Sequence, residues 1–265
     1  MGGIAAARAS DGSSAPVVIL SYACSGTELL SKTMSASSAL ACTQMTGVLP
    51  VCHSALTTWQ QLEDRPGAPS ALAIKSVRAL IGTMLAVTYS AAGAPRWCET
   101  SLASTPAAGS FLRIFPDAAF LCLHRSLADV LTDASAAYPW GLGNSPFWPF
   151  SGMHPGNNAA TIAAYWVANS RSLLDFEASH PQSCLRVFRE QLGTRFHEEA
   201  ERIFSELGLD TRDLAVLPAL SDRTGEQVPE PIAAQIPVDQ LPVPLLSSIN
   251  KIHAELGLPG LPGTR

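Results

Sequence analysis

The segment Pro16-Val-Val-Ile-Leu-Ser-Tyr-Ala-Cys-Ser-Gly-Thr-Glu-Leu-Leu30 decides how this chain is read. Val17 to Leu20 form an unbroken apolar run, the pattern of a strand buried on both faces of a parallel sheet. Small residues follow (Ala23, Cys24, Ser25, Gly26, Thr27), and then an amphipathic segment from Leu29 to Met34. A strand that turns through small residues into a helix lets backbone N–H groups converge on an anion at the positive helix end. The pattern Gly-x-x-x-x-Gly-Lys-Ser/Thr is missing, so this is not a Walker loop. Ser25-x-x-Glu28 also fits a helix capping box, with Ser25 as N-cap and Glu28 reaching back to its N–H. A carboxylate in the first turn competes with an anionic ligand, so ligand binding requires Glu28 to turn away, pair with a cation or be protonated.

Outward from this segment, two further apolar strands are expected at 118–123 and 184–188, with a short one at 96–99. Helices are expected over 51–62, 70–91, 107–115, 127–137, 159–179, 194–207 and 244–256, and residues 41–50 read as a loop. Strands alternating with helices predict an α/β, three-layer fold with a central parallel sheet and the phosphate-binding loop after its first strand. Ligands of such sheets bind beyond the carboxyl ends of the strands, where both Tyr22-Ala-Cys-Ser25 and His124-Arg125 fall. Residues 1–15 read as a Gly/Ala/Ser-rich tail and 16–265 as one domain, with a Pro-rich irregular stretch at 211–241.

Composition narrows the classes. Of 265 residues, 47% are apolar and 15% charged, as in a well-buried globular core. A formal charge of −5 argues against a nucleic-acid partner, which requires clustered Lys and Arg. No apolar run is long enough to span a membrane, and the N-terminus has no apolar core of a secretion signal. Six scattered cysteines without a Cys-x-x-Cys read as buried thiols of a reducing cytoplasm. Cys52-His53 lacks further spaced ligands, so no metal is expected. Residues 138–158 hold five of the chain's 18 aromatics among Pro, Gly and Asn, and read as a loop walling an apolar or aromatic ligand.

Five landmarks carry a resemblance. Ser25-Gly-Thr-Glu-Leu-Leu30 after a buried strand is similar to the 5′-phosphosulfate loop of sulfotransferases that use 3′-phosphoadenosine 5′-phosphosulfate (PAPS). Phe115-Pro-Asp-Ala-Ala-Phe-Leu-Cys-Leu-His-Arg125 resembles their 3′-phosphate strand. Arg96-Trp-Cys-Glu99 resembles their Arg/Lys-Trp-x-Glu phrase. Leu185-Arg-Val-Phe-Arg-Glu-Gln-Leu192 is similar to their Arg-Val-Arg-Tyr-Glu-Asp-Leu strand end, and Ile236 to Gly257 resembles the C-terminus of bacterial members. The resemblance implies PAPS, with adenosine 3′,5′-bisphosphate (PAP) as its product, as the bound nucleotide without a metal. It implies donor contacts from Cys24, Ser25, Gly26, Thr27, Glu28, Arg125 and Asp133. The departures are specific. Cys24 stands where the family carries an Arg or Lys, and Met45 replaces a catalytic Glu. Thr100 replaces a transition-state Lys, and Asp133 a Ser.

Individual residues support more than one reading. Arg125 closing an apolar strand can grip a phosphate in a bidentate fork, or form an ion pair with Asp129 or Asp133. Glu99 and His53 are the candidate general bases for an acceptor hydroxyl. The alternative for Glu99 is a salt bridge with Arg96. Arg189-Glu190 reads as an architectural ion pair. The expectation is a PAPS-dependent sulfotransferase acting on a small hydroxylated acceptor. Its rivals are a catalytically impaired relative serving as a binding or scaffold subunit, and another nucleotide-using α/β enzyme. An apolar C-terminal helix leaves room for a homodimer.

Overall fold

The computed structural model describes residues 15–44, 46–62, 71–89, 96–102, 105–217, 238–258 and 261. Five parallel strands form one sheet in the order β2-β3-β1-β4-β5: β1 (Val17–Ser21), β2 (Leu40–Gln44), β3 (Arg96–Leu102), β4 (Ala119–His124) and β5 (Cys184–Phe188). The helices are α1 (Thr27–Met34), α2 (Val48–Leu62), α3 (Ala71–Tyr89), α4 (Thr105–Ile114), α5 (Leu127–Ala137), α6 (Asn158–Ser179), α7 (Arg189–Thr194), α8 (Phe196–Leu207) and α9 (Val243–Leu256). The three-layer α/β expectation holds.

Successive side chains of β1 point to opposite faces, and each face builds its own core. Val17 and Ile19 meet Leu30, Met34, Leu121 and Phe204 beneath α1 and α8. Val18, Leu20 and Tyr22 meet Phe120, Phe111 and Trp166 on the other side. That is why β1 and β4 read as continuous apolar runs: all their residues are buried. β5, at the sheet edge, alternates buried and half-buried positions.

Three elements differ from expectation. Residues 40–44 form an edge strand rather than a loop. The run Leu40-Ala-Cys-Thr-Gln44 is short and lacks clear apolar alternation, and register with β3 supplies the strand that local pattern does not announce. β3 extends to Leu102 because it is sandwiched between β2 and β1. The helix expected at 194–207 begins at Phe196 as α8, and an unexpected short helix, α7, precedes it. The two are parted at Arg195, whose φ of −133° and ψ of 50° leave the helical region. The break follows Gly193-Thr194, poor helix formers, and lets α8 lay Ala200, Ile203, Phe204 and Leu207 on the sheet.

The apolar face of α9 is spent inside the subunit, with Ile249, Ile252 and Leu256 buried and His253 edge-on to Trp166 of α6. Residues 1–14, Met45 and residues 218–237, which include most of the Pro-rich stretch, lie outside the described residues. No described helix is long and apolar enough to cross a membrane.

Candidate active site

The sheet order reverses direction at β1, which lies between β3 and β4, and the loop leaving β1 opens at that switch point. Cys24 (φ +61°) and Gly26 (φ +81°) both adopt left-handed backbone, so the chain curls tightly before entering α1. Gly26 is the N-cap and no side chain caps the helix, which leaves the first amides of α1 to the loop's interior. The capping box from Ser25 does not form. Ser25 is fully buried and its Oγ accepts from Tyr22 N at 3.4 Å and contacts Thr27 Oγ1 at 3.2 Å, which stitches the loop together. Glu28 instead points outward to Lys32, 2.7 Å away, and this cation holds its carboxyl below the usual range. The helix end is therefore clear of its own carboxylate.

Burial and Asp133 push the Cys24 thiol up, so it is held protonated and is a poor nucleophile. Ala23 N donates to the Tyr165 hydroxyl at 2.9 Å, tying the loop to α6. Tyr165 is braced edge-on by Phe147 and Phe150, whose rings come from the aromatic segment. That segment is thus partly packing: Phe147 is fully buried against Tyr138 and Tyr165. Trp140 is 99% exposed, and Trp148 and Met153 also face outward.

Arg125 leaves β4 beside the loop, and its backbone is anchored on three sides. Tyr22 Oη donates to its carbonyl at 3.1 Å and accepts from its N–H at 3.0 Å, and Trp166 Nε1 donates to the same carbonyl at 2.9 Å. Burial pushes the Tyr22 hydroxyl up to about 12, so it stays a neutral donor at physiological pH. The Arg125 guanidinium donates through Nη1 to Cys24 O at 2.6 Å and pairs with Asp133. Its Nε is buried without a hydrogen-bond partner. Of the two readings of Arg125, the ion pair forms, with Asp133 and not with Asp129, and the guanidinium lies against the loop.

The carboxylate and imidazole singled out as bases are placed differently. Glu99 lies mid-strand in β3, opposite Val18 of β1, and beside the carboxyl end of the neighbouring β2. It accepts from Thr46 N at 2.9 Å, Thr46 Oγ1 at 2.9 Å and Thr43 Oγ1 at 3.3 Å. Burial pushes its pKa up, and these bonds oppose the rise. The salt bridge with Arg96 does not form, because an odd spacing in a strand puts the two on opposite faces. Arg96 instead donates to the carbonyls of Ala15 and Leu207. His53 is on α2, half-buried, with Nδ1 2.9 Å from Ser110 Oγ of α4. Thr100 lies buried in β3, one residue beyond Glu99. Among the described residues no three His, Cys, Asp or Glu side chains gather as metal ligands.

Sequence reading missed two features. Arg189 does not pair with Glu190 as an isolated ion pair. Glu190 Oε1 accepts from Ser126 N at 2.7 Å, and the Arg189 side chain runs back across the first-strand loop. A Cβ added to Gly26 would lie 2.4 Å from Arg189 Cδ and 2.5 Å from its Nε. His124, fully buried, has Nε2 2.8 Å from Glu177 Oε1, and Glu177 Oε2 accepts from Arg186 Nε at 2.8 Å. The adjacency of His124 to Arg125 was the available signal. Its partners on α6 and β5 were not readable.

Residues 16–213 match the family model described as the sulfotransferase family. The fold is similar to that of the sulfotransferase domain from the curacin biosynthetic pathway, at 16% identity over 94% of this chain and 99% of that one, TM-score 0.62. It is also similar to the sulfotransferase domain of the Synechococcus PCC 7002 olefin synthase, at 17% identity over 92% and 95%, TM-score 0.58. A sulfotransferase from Mycobacterium avium is similar at 12% identity over 91% and 75%, TM-score 0.54. No curated protein matches the chain. With the family match covering the sheet, the β1 loop and Arg125, the chain belongs to the sulfotransferase family.

Proposed function

We propose that this protein binds PAPS at the β1 loop and transfers its sulfuryl group to a hydroxyl or phenol of a small acceptor. The observation that carries the reading is the bond from Arg125 Nη1 to Cys24 O, which joins the end of β4 to an uncapped helix start. A buried guanidinium with an unpartnered Nε beside free first-turn amides fits a ligand carrying two phosphate groups. Bound there, the donor supplies an activated sulfuryl group and leaves as PAP.

The chain's own residues then have distinct work. The amides of Gly26 and Thr27 hold the 5′ end, with the Ser25 and Thr27 hydroxyls as further donors and the Ser25 N–H spent on Tyr22 O, and Arg125 holds the 3′-phosphate. Asp133, half-exposed, orients Arg125 and moves aside for the ligand. His53, its ring fixed through Nδ1 by Ser110, takes the acceptor's proton. Glu99 is the weaker candidate, since its oxygens already serve Thr43 and Thr46. The exposed Trp140 and Trp148 offer apolar surface to an apolar or aromatic acceptor.

Calorimetric titration with PAP, against AMP and ATP, tests the nucleotide. Binding that requires the 3′-phosphate and is lost in Arg125→Ala supports the reading. Absence of binding to the wild type overturns it and favours a scaffold role. For the base, His53→Gln in an active preparation is expected to lower kcat while leaving PAP affinity unchanged. Unchanged turnover at saturating acceptor removes His53 from that role.

A further inference from the structure

Sulfuryl transfer builds negative charge where the donor's 5′ end meets the loop, and Cys24 supplies no cation there. A cation does reach the loop from elsewhere. Arg189 is the first residue of α7, immediately after β5, at the same carboxyl edge of the sheet as the loop. Its side chain crosses beside β4 to lie over Gly26, so closely that any Cβ at position 26 would collide with its Cδ and Nε. Its Nε is buried without a hydrogen-bond partner, as is the Nε of Arg125. Two buried guanidinium donors left open around one loop form an arrangement that an anion completes.

The surrounding charges agree. Burial and the neighbouring Arg125 make the Arg189 cation less favourable, while Glu190, Asp133 and Asp129 act in the opposite sense. Glu190 gives Oε1 to Ser126 N and Asp129 gives Oδ2 to Ser126 Oγ, while Glu190 Oε2 is buried without a hydrogen-bond partner. The third, Asp133, is taken by Arg125.

From the contact with Gly26 and the open donor beside it, we propose that Arg189 is the 5′-end cation of the nucleotide site, supplied by β5–α7 in place of the basic residue absent at Cys24. The inference rests on the PAPS reading above. It assigns Arg189 to the 5′ group and leaves the 3′-phosphate to Arg125. The two ends of the ligand are thus gripped by guanidinium groups from neighbouring strands.

The test is calorimetry with PAP, 5′-AMP and 3′-AMP on wild type, Arg189→Ala, and Arg189→Ala combined with Cys24→Lys. Removing a charged hydrogen-bond donor is expected to weaken PAP and 5′-AMP by about ten- to a hundredfold and to leave 3′-AMP within about twofold. Restoring a cation in the loop through Cys24→Lys is expected to recover part of the loss, which a merely structural role of Arg189 would not allow. Circular dichroism of each variant checks that the fold persists. If PAP binds wild type and requires Arg125, yet Arg189→Ala leaves 5′-AMP unchanged, this inference is overturned while the PAPS reading stands. An equal loss of 3′-AMP and 5′-AMP also overturns it. If PAP does not bind wild type, the PAPS reading itself fails.

Discussion

Replacing Gly26 by alanine probes the loop and Arg189 together, because two separable costs arise. The first is backbone strain. At φ +81° an alanine Cβ crowds the following carbonyl oxygen, at about 1–2 kcal/mol. The second is steric. The new methyl would lie 2.4 Å from Arg189 Cδ, whereas carbon atoms prefer about 3.5–4.0 Å, so Arg189 must withdraw by about 1 Å or more. Arg189 is a flexible side chain, so the adjustment adds about 1 kcal/mol rather than unfolding the site. In the wild-type background Gly26→Ala is expected to destabilise by about 2–3 kcal/mol, and in an Arg189→Ala background by only the strain, about 1–2 kcal/mol. The assay is a double-mutant cycle by urea unfolding, with thermal midpoints as a second probe at about 2–4 °C per kcal/mol. Equal costs in both backgrounds, within about 0.3–0.5 kcal/mol, would refute the contact on which the argument depends.

Other outcomes follow from the same contacts. Asp133→Asn removes the carboxylate that pairs with Arg125. It is expected to tighten PAP binding by about three- to tenfold while changing stability by under about 1 kcal/mol, because Asp133 is half-exposed and Arg125 keeps its bond to Cys24 O. Weaker PAP binding by calorimetry would show that Asp133 helps to hold the nucleotide. Burial raises the Glu177 pKa, but His124 and Arg186 outweigh it and the carboxyl ends below its ordinary value of 4.5. Stability from this group is present above that value and is lost as pH falls through the lowered pKa. Glu177→Gln should therefore flatten the acid limb of unfolding midpoint against pH and cost about 2 kcal/mol at neutral pH. An unchanged acid limb would remove Glu177 from this role. Tyr165→Phe keeps the rings of Phe147 and Phe150 packed but orphans Ala23 N, at about 1–3 kcal/mol in urea unfolding. A cost near zero would mean that water replaces the hydroxyl.

Much of the fold was legible because its strongest signals are local. Val17 to Leu20 and Ala119 to Leu123 are buried on both faces, so their sequences carry no alternation, and each stands between turn or helix signals. The ends of those strands place the loop and Arg125 at one edge of the sheet. β2 was not legible, since Cys42 and Thr43 become a strand only through pairing with β3. Glu99 was misplaced at a strand end because β3 runs to Leu102. Glu28 was legible as a competitor for the helix end, but its pairing with Lys32 had to be seen.

By itself, then, the sequence determined the strand–loop–helix at 16–34, the alternation that builds three layers, and an arginine at the end of β4. These depend on neighbours in the chain and on side-chain period. Tertiary structure alone decided which groups surround the loop: Arg189 over Gly26, Asp133 on Arg125, Tyr165 beneath Ala23 and Glu99 spent on two threonines. Those pairings arise because the sheet order sets β4 beside β1 and β5 beside β4, bringing residues from distant parts of the chain to one edge. Side-chain reach across strands has no period in sequence, so the second cation of the site became visible only when the strands were in place.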